Sequence, residues 1–144
     1  LPPEGKLIAI ELDERHAQVA KENIKRASLQ DLIEVRVGNA LEQLAQMKEE
    51  KISPFDFIFI DADKPNNPNY LKWAFDFSHP GTVIIGDNVI RNGEVINDES
   101  QDPRVRGVRA FLDLLAQEKR VIATAIQIVG RKGHDGFAIG IVNS

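Results

Sequence analysis

The chain reads as an α/β protein built on a mostly parallel sheet with helices on both faces. Three observations predict this. Apolar runs of strand length alternate with segments of helical period, in the order β-α-β-α-β-α-β-α-β-β. The run Phe57-Ile58-Phe59-Ile60 is continuous in large apolar residues, the pattern of a parallel strand covered on both faces. Three strands end in acidic or amide residues: residues 7–10 run into Glu11, 55–60 into Asp61-Ala62-Asp63-Lys64, and 82–86 into Asp87-Asn88. Ligand sites in open α/β sheets lie beyond the carboxyl ends of such strands.

The elements follow in order. After Glu11, Asp13 caps a helix reaching about residue 28, with Ala17, Ala20, Ile24 and Ala27 on one face. A strand over 33–37 leads through Gly38-Asn39-Ala40 into a second helix, whose Leu41, Leu44 and Ala45 face one way. Pro54 opens the central strand. Asn67 as cap and Pro68 at the first helical position start a third helix to about residue 78, with Tyr70, Leu71, Ala74 and Phe75 inward. His79-Pro80-Gly81 stops it. Residues 88–103 lack periodicity, and a loop this long in a compact domain is usually functional or disordered. Asp102-Pro103 begins the last helix, and strands over 121–129 and 137–142 close the chain. Their short connection makes them antiparallel, with the C-terminal strand as an antiparallel edge.

With 144 residues, 42% hydrophobic and 28% charged, the chain is one globular domain by size. A net charge of −4 and a pI near 5.4, with no basic run, argue against a nucleic-acid partner. There is no cysteine, so disulfides, thiolate nucleophiles and Cys-based zinc sites are excluded. No apolar run approaches the ~18 residues that span a bilayer, and no signal peptide is recognisable. The expected setting is the cytoplasm, away from membranes.

Glu11 closes an early strand, where a carboxylate can accept hydrogen bonds from two ribose hydroxyls. It can equally serve as a helix-start carboxylate stabilised by the helix dipole. At the next strand end, the Asn39 amide and the backbone at Ala40 can meet a purine edge, although Gly-Asn is also a common turn. Asp61, Asp87 and Asn88 are the sharper group. They bring three oxygen donors to two strand ends, a set that suits a hard divalent cation. Without a cation the two carboxylates repel each other. The alternative is that they cap the elements that follow. Lys64, three residues after Asp61, is a candidate general base, because a nearby cation disfavours its ammonium form. Asp63 either orients Lys64 or touches substrate. Arg91 is a candidate substrate contact or a plain surface arginine. His16, His79 and His134 are scattered and read as structural or exposed.

Several motifs together resemble the small cation-dependent O-methyltransferases that use S-adenosylmethionine, the caffeoyl-CoA and catechol O-methyltransferase class, in its bacterial branch. They are Ile10-Glu11-Leu12-Asp13, Phe59-Ile60-Asp61-Ala62-Asp63-Lys64-Pro65, Tyr70-Leu71-Lys72-Trp73-Ala74, Pro80-Gly81-Thr82-Val83-Ile84, Asp87-Asn88-Val89-Ile90-Arg91-Asn92-Gly93 and Gly133-His134-Asp135-Gly136-Phe137-Ala138. The resemblance implies a Rossmann-like class I methyltransferase sheet. It implies that Glu11 holds the cofactor ribose, that Asn39 and Ala40 border the adenine, and that Asp61 lies near the cofactor's amino-acid end. It also implies that Asp61, Asp87 and Asn88 bind the cation, Mg2+ first with Mn2+ or Ca2+ as alternatives, and that Lys64 is the base. The substrate would be a small catechol-like phenol, and the full-length protein a homodimer.

One departure stands out. The family's first strand and glycine-rich loop are not among these residues, so residues 1–144 are expected to be part of such a domain, with a central strand absent between the one ending at Glu11 and the one ending at Asp61. Three rival readings remain. A phosphoacceptor signalling domain also gathers acidic strand ends, but expects a lysine at a late strand end. A dinucleotide-dependent oxidoreductase needs G-x-G-x-x-G, which is not here. A non-catalytic methyltransferase-like remnant is the third.

Overall fold

The structure is a computed structural model that describes residues 1–2, 4–131 and 133–143. It divides into two compact units, Leu1–Ile52 and Ser53–Ser144.

The first unit is a β-α-β-α segment. Strand β1 (Leu7–Glu11) is followed by helix α1 (Glu14–Arg26), strand β2 (Ile33–Val37) and helix α2 (Ala40–Glu49). β1 and β2 pair in parallel from Leu7↔Ile33 to Glu11↔Val37, with α1 as the crossover. Asp13 caps α1 by accepting the N–H groups of Arg15 and His16, and Lys25 and Arg26 sit in its last turn, where the dipole favours cations. Ala17 and Met47 are the buried apolar side chains here. Ala27 and Ala45, expected inward, are exposed. Ala27 is already the C-cap of α1, and in α2 the inward stripe runs instead through Leu44 and Met47.

The second unit contains β3 (Phe57–Ile60), α3 (Asn67–Asp76), β4 (Val83–Asp87), α4 (Pro103–Gln117), β5 (Val121–Gly130) and β6 (Gly133–Val142). Its sheet order is β3-β4-β6-β5; β3 and β4 are parallel, and β6 is antiparallel to both its neighbours. The C-terminal strand is therefore antiparallel as expected, but it lies one place in from the edge, which β5 occupies. Burial explains the order. Ala138 and Val142 of β6 are buried, while Ile122, Ile126, Ile128 and Val129 of β5 stay exposed. β1 pairs with β2 in the first unit, and β3 pairs with β4 in the second.

The core of this unit gathers Leu71, Ala74 and Phe75 of α3, Val105, Val108, Phe111 and Leu115 of α4, and Ile84 of β4. α3 packs against α4, and the Phe111 ring of α4 lies over Gly86, the register partner of Ile60. The helices thus cover the face of β3 that carries Ile60. On the alternate face of β3, Phe57 and Phe59 are each 56% exposed within residues 1–144. No helix among the described residues is long and apolar enough to cross a membrane.

Candidate active site

The second unit brings six of the candidate residues to one end of its sheet. The register of β3 and β4 runs to Ile60↔Gly86, so Asp61 and Asp87 follow side by side on adjacent parallel strands, whose spacing is ~4.8 Å. Asn88 has φ +56°, a left-handed conformation that asparagine tolerates. The chain swings sharply there, which frees Asp87 and Asn88 from the alternation of a regular strand. Asp87 Oδ1 accepts the N–H of Asn88 at 2.7 Å, fixing the turn.

Lys64 opens a 3-10 turn, Lys64–Asn66, that leads directly into α3. Its side chain is buried, and Nζ donates to Asp61 Oδ1 at 2.9 Å. What buries the segment is partly backbone. A Cβ on Gly107 of α4 would lie 2.1 Å from the Lys64 carbonyl oxygen, so only glycine lets α4 approach this closely. Asp63 bonds elsewhere: Oδ1 accepts the Tyr70 hydroxyl at 2.5 Å and Oδ2 accepts Asn66 Nδ2 at 2.7 Å. Burial, and then the Asp63 carboxylate, push the Tyr70 phenol well above its ordinary pKa. Asn66, not Asn67, takes the cap position of α3, because the 3-10 turn displaces the helix start. The Asn67 side chain is fully buried, with no partner for its amide among the described residues.

Arg91 begins a 3-10 segment, Arg91–Ile96, within the stretch expected to lack structure. Its backbone is left-handed, φ +53°, and its N–H donates to Asp135 Oδ1 at 3.0 Å. Its charge adds a small lowering to Asp102, which the side chain and then the backbone N–H of Arg104 pull down to about 2. Asp87 also lines a cavity of about 340 Å3 with Ile128, Arg131, Asp135 and the glycines at 130, 133 and 136.

Asp61, Asp87 and Asn88 offer only carboxylate and amide oxygens, and two like charges at neighbouring strand ends favour a cation between them. They fit a hard divalent ion. Among the described residues, no group of three or more His, Cys, Asp or Glu side chains could hold one.

The first unit holds the other candidates. Glu11 Oε1 accepts the N–H of Asp13 at 2.9 Å, with His16 Nδ1 at 4.0 Å, and its side chain is 39% exposed. The Gly38 N–H donates to the Glu11 carbonyl at 2.9 Å, which ties the ends of β1 and β2 together. Asn39 caps α2, its Oδ1 accepting from Leu41 at 2.9 Å and Glu42 at 3.4 Å. Its carbonyl oxygen is thus spent on the start of α2, directly before Ala40.

Sequence reasoning missed Tyr70 as the partner of Asp63, Gly107 as the residue that admits α4, and Asp135 as a loop anchor. Only Asp135 carried a local signal, the Asp-Gly pair typical of turns.

A family model described as O-methyltransferase matches residues 1–137. The chain belongs to the O-methyltransferase family. Within it, the chain is 48% identical over 142 residues to a catechol O-methyltransferase of Niastella koreensis, an alignment covering 99% of this chain and 64% of that protein. It is 44% identical over 140 residues to a catechol O-methyltransferase of Mycobacterium tuberculosis, covering 97% and 62%. Among solved structures it is similar to an O-methyltransferase from Bacillus cereus in complex with SAH, at a TM-score of 0.96 and 57% identity, covering 99% of this chain and 65% of that one. An O-methyltransferase from Streptomyces achromogenes in complex with SAM gives a TM-score of 0.96 at 41% identity, covering 100% and 65%. The chain spans a little under two-thirds of the length of these O-methyltransferases. The family resemblance read from the motifs at Asp61 and Asp87 is borne out.

Proposed function

We propose that the complete protein transfers a methyl group from S-adenosylmethionine to one hydroxyl of a catechol-like substrate. In this reading a divalent cation, Mg2+ first, sits at Asp61, Asp87 and Asn88, and Lys64 is the general base. The observation that carries it is the pairing of β3 and β4, whose last shared pair, Ile60↔Gly86, sets Asp61 beside Asp87 with buried Lys64 alongside. The relatives named catechol O-methyltransferase support the substrate class, and the SAH and SAM complexes of similar enzymes support the methyl donor.

When bound, S-adenosylmethionine supplies a methyl group on a sulfonium sulfur, and the cation supplies charge that stabilises an ionised hydroxyl oxygen. Lys64, in its neutral amine form, takes the hydroxyl proton at Nζ. Its burial and its bond to Asp61 hold the amine in one place, which matters because oxygen, methyl carbon and sulfur must align. Asp63, tied to Tyr70 and Asn66, stiffens the turn that carries Lys64. Arg91 is assigned to the substrate side. Glu11 is assigned to the ribose, and Asn39 and Ala40 to the adenine.

The test is methyl transfer from S-adenosylmethionine to a panel of catechols by the complete protein, with and without chelator. Transfer that chelator abolishes is expected. No transfer to any catechol would favour a non-catalytic remnant, and transfer indifferent to chelator would remove the cation from the account.

A further inference from the structure

We infer that Asp135 is a positioning residue for the cation site: its carboxylate clamps the loop after β4 so that Asn88 is presented beside Asp87. This rests on the cation reading above. The loop leaves β4 in an unusual way. Asn88, Arg91, Asn92 and Gly93 have φ of +56°, +53°, +55° and +89°. Glycine and asparagine visit this region readily, but a long side chain such as that of Arg91 does so at a cost, so the fold must impose the conformation.

The first residues of β6 impose it. Asp135 Oδ1 accepts three backbone N–H groups, from Ile90 at 3.1 Å, Arg91 at 3.0 Å and Gly136 at 2.9 Å. Two of these reach back more than forty residues. Around them, the Val89 N–H donates to the Gly136 carbonyl at 3.0 Å, and Asn92 Oδ1 accepts the His134 N–H at 3.2 Å. Gly133 makes room for this clasp: with φ +107°, a Cβ there would lie 2.4 Å from Asn92 Oδ1. A charged acceptor makes stronger bonds than a neutral one, and here one carboxylate oxygen fixes two consecutive loop amides. Asp135 also lines the cavity that Asp87 lines. Removing the acceptor frees Arg91, the left-handed residue of the two, to relax toward right-handed φ, which carries Asn88 away from Asp87.

The experiment combines Mn2+ affinity with amide hydrogen exchange on the complete protein. Asp135→Ala is expected to speed exchange at Ile90 and Arg91 and to weaken Mn2+ binding by about 10–100-fold, the range for outer-shell partners of metal ligands. Asp135→Asn keeps the Oδ1 acceptor and is expected to stay within a few-fold of wild type in both. Unchanged exchange in Asp135→Ala would overturn the proposal, as would an Asp135→Asn protein as impaired as Asp135→Ala, which would assign the effect to charge alone. Should Asp135→Ala not fold, Asp135→Glu, with its acceptor displaced by one methylene, is expected to show the same loosening more weakly; wild-type exchange there would also overturn it. If wild-type protein and an Asp87→Ala control bind Mn2+ equally, the cation reading fails and takes the affinity claim with it, while the exchange rates still decide whether Asp135 clamps the loop.

Discussion

Lys64 Nζ lies 2.9 Å from Asp61 Oδ1, in a pair whose lysine side chain is 8% exposed and whose aspartate is 48% exposed. The two partners therefore carry different risks. Removing the carboxylate strands a buried ammonium; removing the lysine leaves a carboxylate that water can still reach.

Asp61→Ala is accordingly expected to destabilise the protein by about 1–3 kcal/mol, the cost of an unsatisfied buried polar group. Lys64→Met removes the charge together with its desolvation cost and should be closer to neutral in stability. It should nonetheless lower kcat by about 10²–10⁴-fold, the usual worth of a general base. Denaturant unfolding and single-substrate kinetics on both variants check this. An active Lys64→Met protein would reject the base assignment.

Gly107→Ala offers a reversal of sign. In an ordinary helix position this change stabilises by about 0.4–1 kcal/mol. Here the new Cβ would meet the Lys64 carbonyl oxygen at 2.1 Å and the Pro65 Cα at 2.7 Å. Overpacking of this kind costs about 1–3 kcal/mol, and it must shift the turn that carries Lys64. The expected result is lower stability with a fall in kcat larger than any change in KM. A stabilised, fully active Gly107→Ala protein would show that α4 does not hold that turn.

Tyr70 predicts an alkaline limit. Its phenol is pushed up, by burial first and by the Asp63 carboxylate second, above the ordinary tyrosine value of about 10. A folded pKa raised above the unfolded one contributes stability in full below the unfolded value. That contribution is lost as pH climbs from there through the folded value. Stability should thus decline above about pH 10. The phenolate absorbance of wild type minus Tyr70→Phe should appear later than that of free tyrosine, and Asp63→Asn should bring it part of the way back. Ionisation at the free-tyrosine pH would show that the Tyr70–Asp63 bond does not persist in solution.

What the sequence made legible was local. The caps Asp13 and Asp102 were readable because each serves N–H groups two or three residues away, whereas Asn39 was legible only as a turn residue. The pairing of Asp61 with Asp87 was readable because it needs only two parallel strands that end in step. The rest depends on distant contacts. Gly133-His134-Asp135-Gly136 has no apolar alternation, yet it is strand because β5 pairs with it back to Gly130↔Gly133 and because the 88–92 loop bonds to it. The left-handed residues in that loop have no sequence signature beyond Asn92-Gly93. The Tyr70–Asp63 bond crosses from a 3-10 turn into α3, a junction that helical spacing alone does not describe.

The most direct measurement is Mn2+ binding to the complete protein, titrated by the loss of free-ion signal in wild type, Asp61→Asn, Asp87→Asn and Asn88→Ala. A single saturable site is expected, weakened in each variant by more than the roughly 10–100-fold that an outer-shell change produces. Wild-type affinity in Asp87→Asn and Asn88→Ala would mean that these strand ends do not share an ion, and the account of how this chain serves methyl transfer would be contradicted.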